Sequence, residues 1–356
     1  MKYTIFGESH GSAIGAIITG VPAGTVLDME LIGQQMSRRS PGKNPLGTSR
    51  SEADKPEFLS GILVGEDGNI TATGAPLCIS IQNGNTRSQD YDKLRNLPRP
   101  SHSDYAASVR YSGHNDVRGG GHFSGRLTAP LVFAGALAEQ LLAQRGVSIA
   151  ATISRIGQVS DAQVDYAKPD IAALRELRGA VLPVVNPLTA KAMELEILAA
   201  KEAGDSVGGT VTCYLAGVPA GLGEPDFGKN VEGIFARHLF AIPAVRAVEF
   251  GAGALLSTLR GSEGNDALYM KNGMVKSKTN YSGGVNGGIT NGMPLVFTVA
   301  FRPTPSIGLA QATVNLKTGE NETLTIEGRH DPCIVQRAVP VVEAAAALAL
   351  CELWGM

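Results

Sequence analysis

The chain has 356 residues, of which 43% are hydrophobic and 18% charged, enough apolar material for one large domain or two smaller ones. Its formal net charge of -2 lacks the basic excess that a nucleic-acid-binding protein, or a protein that binds membranes through a polybasic surface, would carry. No segment is long and apolar enough to span a bilayer comfortably. The start, MKYTIFGESHG, lacks the apolar run of a signal peptide, and four widely spaced cysteines favour reduced, buried thiols. We therefore expect a cytoplasmic protein that binds neither nucleic acid nor membranes.

The first part of the chain alternates strand-like and helix-like segments. Small and β-branched residues predict a strand over 13–21 that ends in a Pro-Ala-Gly turn. Apolar residues at helical spacing predict a helix over 27–39 that ends in two arginines. The polar, glycine-containing segment 43–54 is interpreted as a flexible surface loop. Short strands are expected near 58–64 and 77–82.

The segment 99–126 concentrates the residue types that bind anions. Its 28 residues include three histidines, four arginines and five glycines, three of them consecutive. Glycine lets backbone N–H groups approach a ligand closely, and the start of a following helix adds a positive dipole end. The pattern favours a phosphate-like anion, although a mobile glycine loop with solvated arginines fits the composition equally well.

Two segments, 128–145 and 338–353, are apolar around most of their circumference, which indicates helices that are buried on most sides. The segment 155–206 alternates charged and apolar residues and is interpreted as a mostly helical, solvated layer at the periphery. Later strands are predicted at 245–250, 254–260 and 294–301.

One short repeat points to an internal duplication. GVPAG occurs at Gly20–Gly24 and again at Gly217–Gly221, each time after an apolar, β-prone run. Each copy is followed about a hundred residues later by a glycine-rich or arginine-rich loop and a buried helix. The repeat predicts two related halves, each with a sheet and a core helix, and the core helices enclosed between the sheets.

Serine nucleophile and metal chemistry both fit the residues poorly. Ser9 and His10 are adjacent, so their side chains point in different directions, and there is no G-x-S-x-G elbow. There is also no H-E-x-x-H, and arginines between the histidines would repel a cation. Imidazoles among arginines instead suit protonation of a departing phosphate, for which His10 and His102 are the candidates. Asp331 is flanked by cations that favour its charged form, as a base or as an ion-paired loop former.

Nine motifs resemble those of the chorismate synthase family, in order and over essentially the whole chain. They are FGESHG at 6–11, RRSPG at 38–42, RSQDY at 87–91, RPSHSDY at 99–105, VRGGG at 117–121, SGR at 124–126, GDSVGG at 204–209, GVPAGLGEP at 217–225 and GRHDPC at 328–333.

The resemblance implies one catalytic domain over 1–356 with an α+β fold, a β-α-β sandwich whose core helices are enclosed between antiparallel sheets. The implied activity is that of a shikimate-pathway lyase, which converts 5-enolpyruvylshikimate 3-phosphate to chorismate and phosphate by anti-1,4-elimination. The family requires reduced FMN without net redox change and forms homotetramers. NADPH or an external reductase is expected to supply the electrons.

The resemblance also implies catalytic roles. His10 is similar to the family histidine that protonates the leaving phosphate, and His102 to the one that stabilises the reduced, anionic flavin. Asp331 resembles the aspartate that works with flavin nitrogen 5 in removing the ring proton. Ser9 and Ser124 resemble serines that link this proton network.

Two further sets are implied as binding residues. Arg39, Arg126 and Arg337 match arginines around the phosphate and carboxylates of the substrate. The positions that match FMN-binding residues are Ser124, Pro243, Ala244, Gly287, Arg302, Pro303, Thr304, Pro305, Ser306 and Arg329.

Some positions depart from the family pattern. His122 and Phe123 stand where the family commonly has arginine and serine, and Leu127 stands where it has glutamate. Pro45 replaces an arginine, and Arg302 replaces the lysine of a Lys-Pro-Thr run. The chain also begins close to FGESHG and lacks most of the usual first strand. These changes affect individual flavin contacts more than the activity.

Two alternatives remain. A flavin-binding or anion-binding regulatory protein could keep the site without the lyase activity, but His10, His102 and Asp331 together argue against this. A nicotinamide-dependent oxidoreductase would need G-x-G-x-x-G after a strand with an acidic residue downstream, which the sequence lacks in that context.

Overall fold

The computed structural model describes residues 1–42, 46–47, 54–84, 94–326 and 331–356. Within them, the strands are β1 (Lys2–Gly7), β2 (Ala13–Thr19), β3 (Pro56–Ser60), β4 (Ile62–Val64), β5 (Ile70–Ala72), β6 (Leu77–Gln82), β7 (Ser148–Ile156), β8 (Val159–Ser160), β9 (Gly209–Ala216), β10 (Val245–Phe250), β11 (Leu268–Lys271), β12 (Met274–Ser277), β13 (Val285–Asn286), β14 (Ile289–Thr290), β15 (Leu295–Phe301), β16 (Gln311–Val314) and β17 (Asn321–Leu324). The α-helices are α1 (Met29–Arg39), α2 (Asp104–Arg110), α3 (Thr128–Ala143), α4 (Ile171–Glu176), α5 (Pro187–Glu202), α6 (Val231–Phe240), α7 (Gly261–Gly264) and α8 (Val335–Leu353).

Four strands of the first half form an antiparallel sheet in the order β1, β2, β6, β3. Alternate residues of β2, namely Ile14, Ala16 and Ile18, are fully buried, as expected for a strand with a covered face. The strand predicted over 13–21 is therefore confirmed, but it ends at Thr19 because Gly20 adopts a φ of +83°. β1 forms a six-residue strand at the start of the chain, where most of a first strand was expected to be missing.

Five strands of the second half form another antiparallel sheet in the order β10, β15, β9, β7, β8. β7 was not predicted. The predicted strand over 254–260 is wrong, because Gly253–Thr258 forms a 3-10 turn. The hydroxyls of Ser257 and Thr258 donate to backbone carbonyls three residues earlier, a local bond that competes with strand pairing.

The predicted internal duplication is confirmed by the topology of the two sheets. The order β1, β2, β6, β3 corresponds to β7, β9, β15, β10, with α1 and α6 after the second strand of each set. The two GVPAG segments follow the equivalent strands β2 and β9. In each copy both glycines have φ between +81° and +95°, a conformation that glycine adopts without strain. α3 and α8 follow β6 and β15 and complete the correspondence.

The core helices lie between the two sheets, as predicted. α3 packs against β2 and α8, and α8 packs against β7 and β9. Of the 16 residues of α3, 14 are buried, and of the 19 residues of α8, 16 are buried. Helices this apolar need cover on all sides, and the two sheets supply it. Among the described residues, no helix has the length and apolarity needed to cross a membrane.

The crossing of α3 and α8 depends on a small residue. A Cβ on Gly135 would overlap the Cβ and Cα of Ala344, which are part of a fully packed helix. We expect Gly135→Ala to lower the free energy of unfolding by about 1–3 kcal/mol, the usual cost of overpacking. The matched control is Gly33→Ala in α1, where nothing lies within 4 Å and a small stabilisation is expected. Urea denaturation of both variants checks this, and equal stabilities would contradict it.

The helical layer also buries a charged cluster. Arg38 contacts Glu343 at 2.5 Å, and Arg178 contacts Glu139 at 2.8 Å. Burial raises the pKa of Glu343, but the charges of Arg38 and Arg178 outweigh it and hold that pKa below its ordinary value. Gln35 donates to both carboxylates. Arg178 lies in the segment predicted to be a solvated periphery, so that prediction is wrong for this residue.

The segment 43–54 was predicted to be a flexible surface loop, and most of it lies outside the described residues. The described Leu46 and Asp54 contradict the prediction, because their exposed fractions are only 3% and 4%. Three of the four cysteines are fully buried and Cys78 is half-buried, in agreement with the prediction of buried thiols.

Candidate active site

His10 lies in the loop between β1 and β2, and this loop is held by backbone contacts to two other segments. Asn83 donates from its side chain to the carbonyls of Glu8 and Gly11, at 2.9 and 3.0 Å. The backbone N–H of Ser9 donates to the carbonyl of Gly121 at 3.1 Å. Both ends of the loop are thereby tied to the protein, so the position of His10 is defined by the fold.

The triple glycine brings His10 and His102 to consecutive residues of one turn. Gly119, Gly120 and Gly121 have φ values of +59°, +87° and +53°, which only glycine adopts readily. A Cβ on Gly119 would lie 2.5 Å from Cδ2 of His10, and one on Gly120 would lie 3.4 Å from Cε1 and Nε2 of His102. The bare backbone at Gly119 therefore makes room for the ring of His10, and the ring of His102 lies at ordinary contact distance from Gly120.

His102 is held by a carboxylate and a guanidinium close in sequence. Its Nδ1 lies 2.6 Å from Asp104, and Arg99 binds Asp104 through Nε at 2.7 Å and Nη2 at 2.8 Å. Burial lowers the pKa of His102, and the charges of Arg99 and Arg302 act in the same direction. The hydrogen bond to Asp104 raises that pKa without cancelling the burial effect, so the pKa of His102 lies below its ordinary value.

The predicted flavin segment from Arg302 to Ser306 connects the histidines with Asp331. Arg99 donates from Nη1 to the hydroxyl of Ser306 at 3.1 Å. At the middle of the segment, the hydroxyl of Thr304 donates to the backbone carbonyl of Asp331 at 3.0 Å. The carboxylate of Asp331 forms an ion pair with Arg337. The two histidines and Asp331 thus belong to one connected set of contacts.

The set also contains buried donors without a protein partner. Nε of Arg302 and Nε of Arg337 are both buried and have no hydrogen-bond partner among the described residues. A buried guanidinium N–H without a partner is costly, and an anionic ligand would satisfy it. The backbone N–H of Arg302 donates to the carbonyl of Ala244 at 3.0 Å, which adds Pro243 and Ala244 to the same neighbourhood.

Two of the predicted substrate-binding arginines meet at a buried carboxylate. Arg39 donates to Asp54 at 2.8 Å, and Arg126 forms an ion pair with the other oxygen of the same carboxylate. Arg126 also donates to Asn83 at 3.1 Å, and its backbone N–H contacts Ser124. Through Asn83, this arginine cluster is joined to the loop that carries His10.

Replacing Asp54 should affect stability strongly. Asp54→Asn removes the charge shared by two buried guanidinium groups, and breaking a buried ion pair typically costs about 3–5 kcal/mol. The control is Asp226→Asn, whose carboxylate contacts Lys229 on the exposed surface and is expected to contribute at most about 1 kcal/mol. Urea denaturation measures both, and a loss in Asp54→Asn no larger than in the control would contradict the prediction.

One predicted flavin-binding residue, Gly287, lies in a different part of the fold. Gly287 is in the turn between β13 and β14, next to Gly288, whose carbonyl accepts from the first residue of α6. That end of the sheet is opposite the end where Phe301 leads into Arg302, and the seven residues of β15 span about 20 Å. Among the residues that the structure describes, Gly287 is therefore not brought to the other predicted flavin-binding positions. Arg329 and Pro45 lie outside the described residues.

Several residues of the site escaped the sequence analysis, namely Asp54, Asn83, Arg99 and Asp104. Arg99 and Asp104 could have been found, because they flank His102 in RPSHSDY and carry opposite charges. Asp54 and Asn83 carry no such signal. Among the positions that depart from the family pattern, His122 contacts the carbonyl of Gly7 through Nδ1 at 2.9 Å.

Comparison with known proteins decides the family. The family model described as chorismate synthase matches residues 1–354. This chain belongs to the chorismate synthase family. The chorismate synthase of Thermococcus kodakarensis is 43% identical over 353 residues, which cover 99% of this chain and 95% of that relative. The one from Dehalococcoides mccartyi is 42% identical over 364 residues, covering 99% of this chain and 94% of the relative.

A solved structure supports the same assignment. A crystal structure of chorismate synthase superposes with a TM-score of 0.74 at 25% identity, covering 99% of this chain and 90% of that one. The predicted α+β fold and the predicted chorismate synthase activity, a shikimate-pathway lyase acting on 5-enolpyruvylshikimate 3-phosphate, are thereby confirmed at the level of the family.

Proposed function

We propose that this chain eliminates phosphate from 5-enolpyruvylshikimate 3-phosphate in an anti-1,4 sense, with reduced FMN bound beside His102. The observation that carries the proposal is the placement of His10 and His102 against Gly119 and Gly120. Arg99, which contacts His102, donates to Ser306, and Thr304 of the same segment donates to the backbone carbonyl of Asp331. Acid, base and arginines in one connected set are what a phosphate elimination requires.

The chain's own residues can bind two anionic molecules. Arg337, Arg39 and Arg126 would hold the phosphate and carboxylates of the substrate, since guanidinium groups bind such anions in bidentate fashion. Arg302 to Ser306, with Ala244 and Ser124, would hold FMN, and the partnerless Nε of Arg302 fits its negative charge. When bound and reduced, FMN supplies electron density to the allylic system as the carbon–oxygen bond breaks.

The histidines and Asp331 would handle protons. His10 would donate a proton to the departing phosphate oxygen, and Ser9 beside it would help to relay that proton. The negative charge of the bound cofactor would favour protonation of His102 on both ring nitrogens, and Nε2–H, on the side of Gly120, would then stabilise that charge. The Asp331 carboxylate would hold the proton removed from the substrate ring, with Ser124 in the same network. The protein thus positions the reactants and stabilises charge, which is its usual part in cofactor-dependent catalysis.

The assembly and the source of electrons belong to the same proposal. The chain is proposed to act in the cytoplasm as a homotetramer, and the position of Gly287, away from the other flavin residues, is accounted for if a neighbouring subunit supplies it. NADPH or an external reductase is proposed to reduce the flavin.

An anaerobic assay tests the proposal. The purified chain, incubated with 5-enolpyruvylshikimate 3-phosphate and FMN reduced by dithionite, should form chorismate and phosphate in equal amounts, and should form neither when the FMN is oxidised. A parallel reaction with oxidised FMN and NADPH shows whether the chain reduces its own flavin. Binding of reduced FMN without release of phosphate would support the non-catalytic alternative and overturn the proposal.

A further inference from the structure

Asp104 is the most completely bound carboxylate near the histidines. One oxygen accepts from the backbone N–H and Nε of Arg99, at 3.0 and 2.7 Å, and the other accepts from Nη2 of Arg99 and from Nδ1 of His102, at 2.8 and 2.6 Å. Burial raises the pKa of Asp104, but its hydrogen bonds with Arg99 and His102 outweigh this and hold the pKa well below its ordinary value. The carboxylate is therefore an ionised acceptor.

An ionised acceptor determines which ring nitrogen of His102 carries the hydrogen. A carboxylate without a proton can only accept, so the 2.6 Å contact requires a hydrogen on Nδ1. Nη2 of Arg99 lies 3.0 Å from the same Nδ1, but it is a donor and has Asp104 as its acceptor. Nε2 of His102 is then the nitrogen that faces Gly120, free to accept or donate a proton there.

The clamp also reaches the predicted flavin segment. Arg99 is 6% exposed, binds Asp104 through one edge of its guanidinium and donates to the hydroxyl of Ser306 through Nη1. Within the described parts of the chain, the groups that face His102 are Asp104 at the start of α2, Arg99 and Ser103 in the preceding turn, and the charge of Arg302 beyond β15. Asp104 is the acidic group in this set.

We propose that Asp104, clamped by Arg99, is a positioning residue that fixes His102 as the Nδ1–H tautomer and directs its Nε2 towards the cofactor side of the Gly119–Gly121 turn. The proposal rests on the proposed function only where it calls that side of the turn the cofactor side. The tautomer itself is a property of the chain and can be measured without turnover.

Nitrogen NMR tests the tautomer directly. Full-length protein labelled with 15N-histidine is examined by magic-angle-spinning NMR as a function of pH, and His102 is assigned by its loss in His102→Gln. In the unmodified chain the neutral ring should show a protonated Nδ1 and an unprotonated Nε2. The opposite tautomer there would overturn the proposal without any further variant.

The variant Asp104→Asn should reverse this arrangement. Arg99 will take the single amide oxygen, so the amide NH2 faces Nδ1 and moves the ring hydrogen to Nε2. Loss of the carboxylate charge should also lower the pH at which His102 titrates, by about one unit or more. An unchanged tautomer and titration would overturn the proposal. The matched control is Asp161→Asn, whose carboxylate binds the backbone N–H groups of Val185 and Asn186.

Turnover provides the second readout. In Asp104→Asn, kcat should fall about 10²- to 10⁴-fold with KM within a few-fold, the scale seen when a catalytic imidazole has the wrong tautomer or no proton partner. Asp104→Glu, which keeps the carboxylate, should retain the Nδ1–H tautomer and most of the activity. A KM effect alone would assign Asp104 a purely structural role. If the unmodified chain forms no chorismate, the proposed function fails, while the nitrogen spectra still decide the tautomer.

Discussion

The chain carrying His10→Ala is expected to release phosphate from 5-enolpyruvylshikimate 3-phosphate about 10²- to 10⁴-fold more slowly than the unmodified chain. The reason is that a positioned acid no longer protonates the departing oxygen, and this range is the usual contribution of such a group. The effect should appear in kcat, because the arginines that would bind the substrate are unchanged. Phosphate release under anaerobic conditions with reduced FMN measures it.

The control is His114→Ala, since His114 lies in the same segment but is exposed. Its turnover should stay within a few-fold of the unmodified chain. Added imidazole should restore part of the activity of His10→Ala, because the missing ring leaves space beside Gly119. Near-normal turnover of His10→Ala would remove His10 from the role of acid.

The second large effect is expected from Gly119→Ala. The added Cβ would lie 2.5 Å from Cδ2 of His10 and 2.8 Å from Oγ of Ser9, so both side chains must move. A displacement of about 1 Å at a catalytic group can cost roughly 10²-fold in rate, and a loss of that size or larger is expected here. The variant should also lose about 1 kcal/mol of stability because its φ of +59° strains an alanine.

Gly113→Ala separates the two causes. Gly113 has a φ of +77° but nothing within 4 Å of an added Cβ, so this variant has the same backbone strain without a displaced neighbour. It should lose stability and keep its turnover. If Gly119→Ala and Gly113→Ala show the same turnover, the space that the missing side chain of Gly119 leaves for His10 does not matter for catalysis.

Local sequence patterns were sufficient to predict secondary structure and burial where the environment of each residue depends on its near neighbours in the chain. The apolar circumference of the segments now seen as α3 and α8 required cover on all sides, and both helices lie between the sheets. The strand 254–260 failed for a local reason too, because hydroxyl-to-carbonyl bonds stabilise a turn there. β7 was missed although it pairs with the central strand β9 over most of its length.

The residues of the candidate site were likewise predictable where they are close together in sequence and not where they are far apart. The segment 99–126 was singled out because its histidines, arginines and glycines are close together in sequence. Asp54, in contrast, lies in a polar segment that predicted a surface loop, and its partner Arg126 is 72 residues away. No periodicity or spacing reports such a pair, because the contact is formed only when α1 and the turn before α3 pack together.

Side-chain type and the spacing of a few residues were enough to predict the core helices and the duplicated halves, and to single out the histidines, arginines and glycines of the candidate site. Long-range packing alone places His10 and His102 against consecutive glycines, joins Arg39 and Arg126 at Asp54, and puts Gly287 at the far end of the sheet. Those contacts join residues distant along the chain. They exist because the packing of sheets and helices closes long loops at little additional entropic cost per residue.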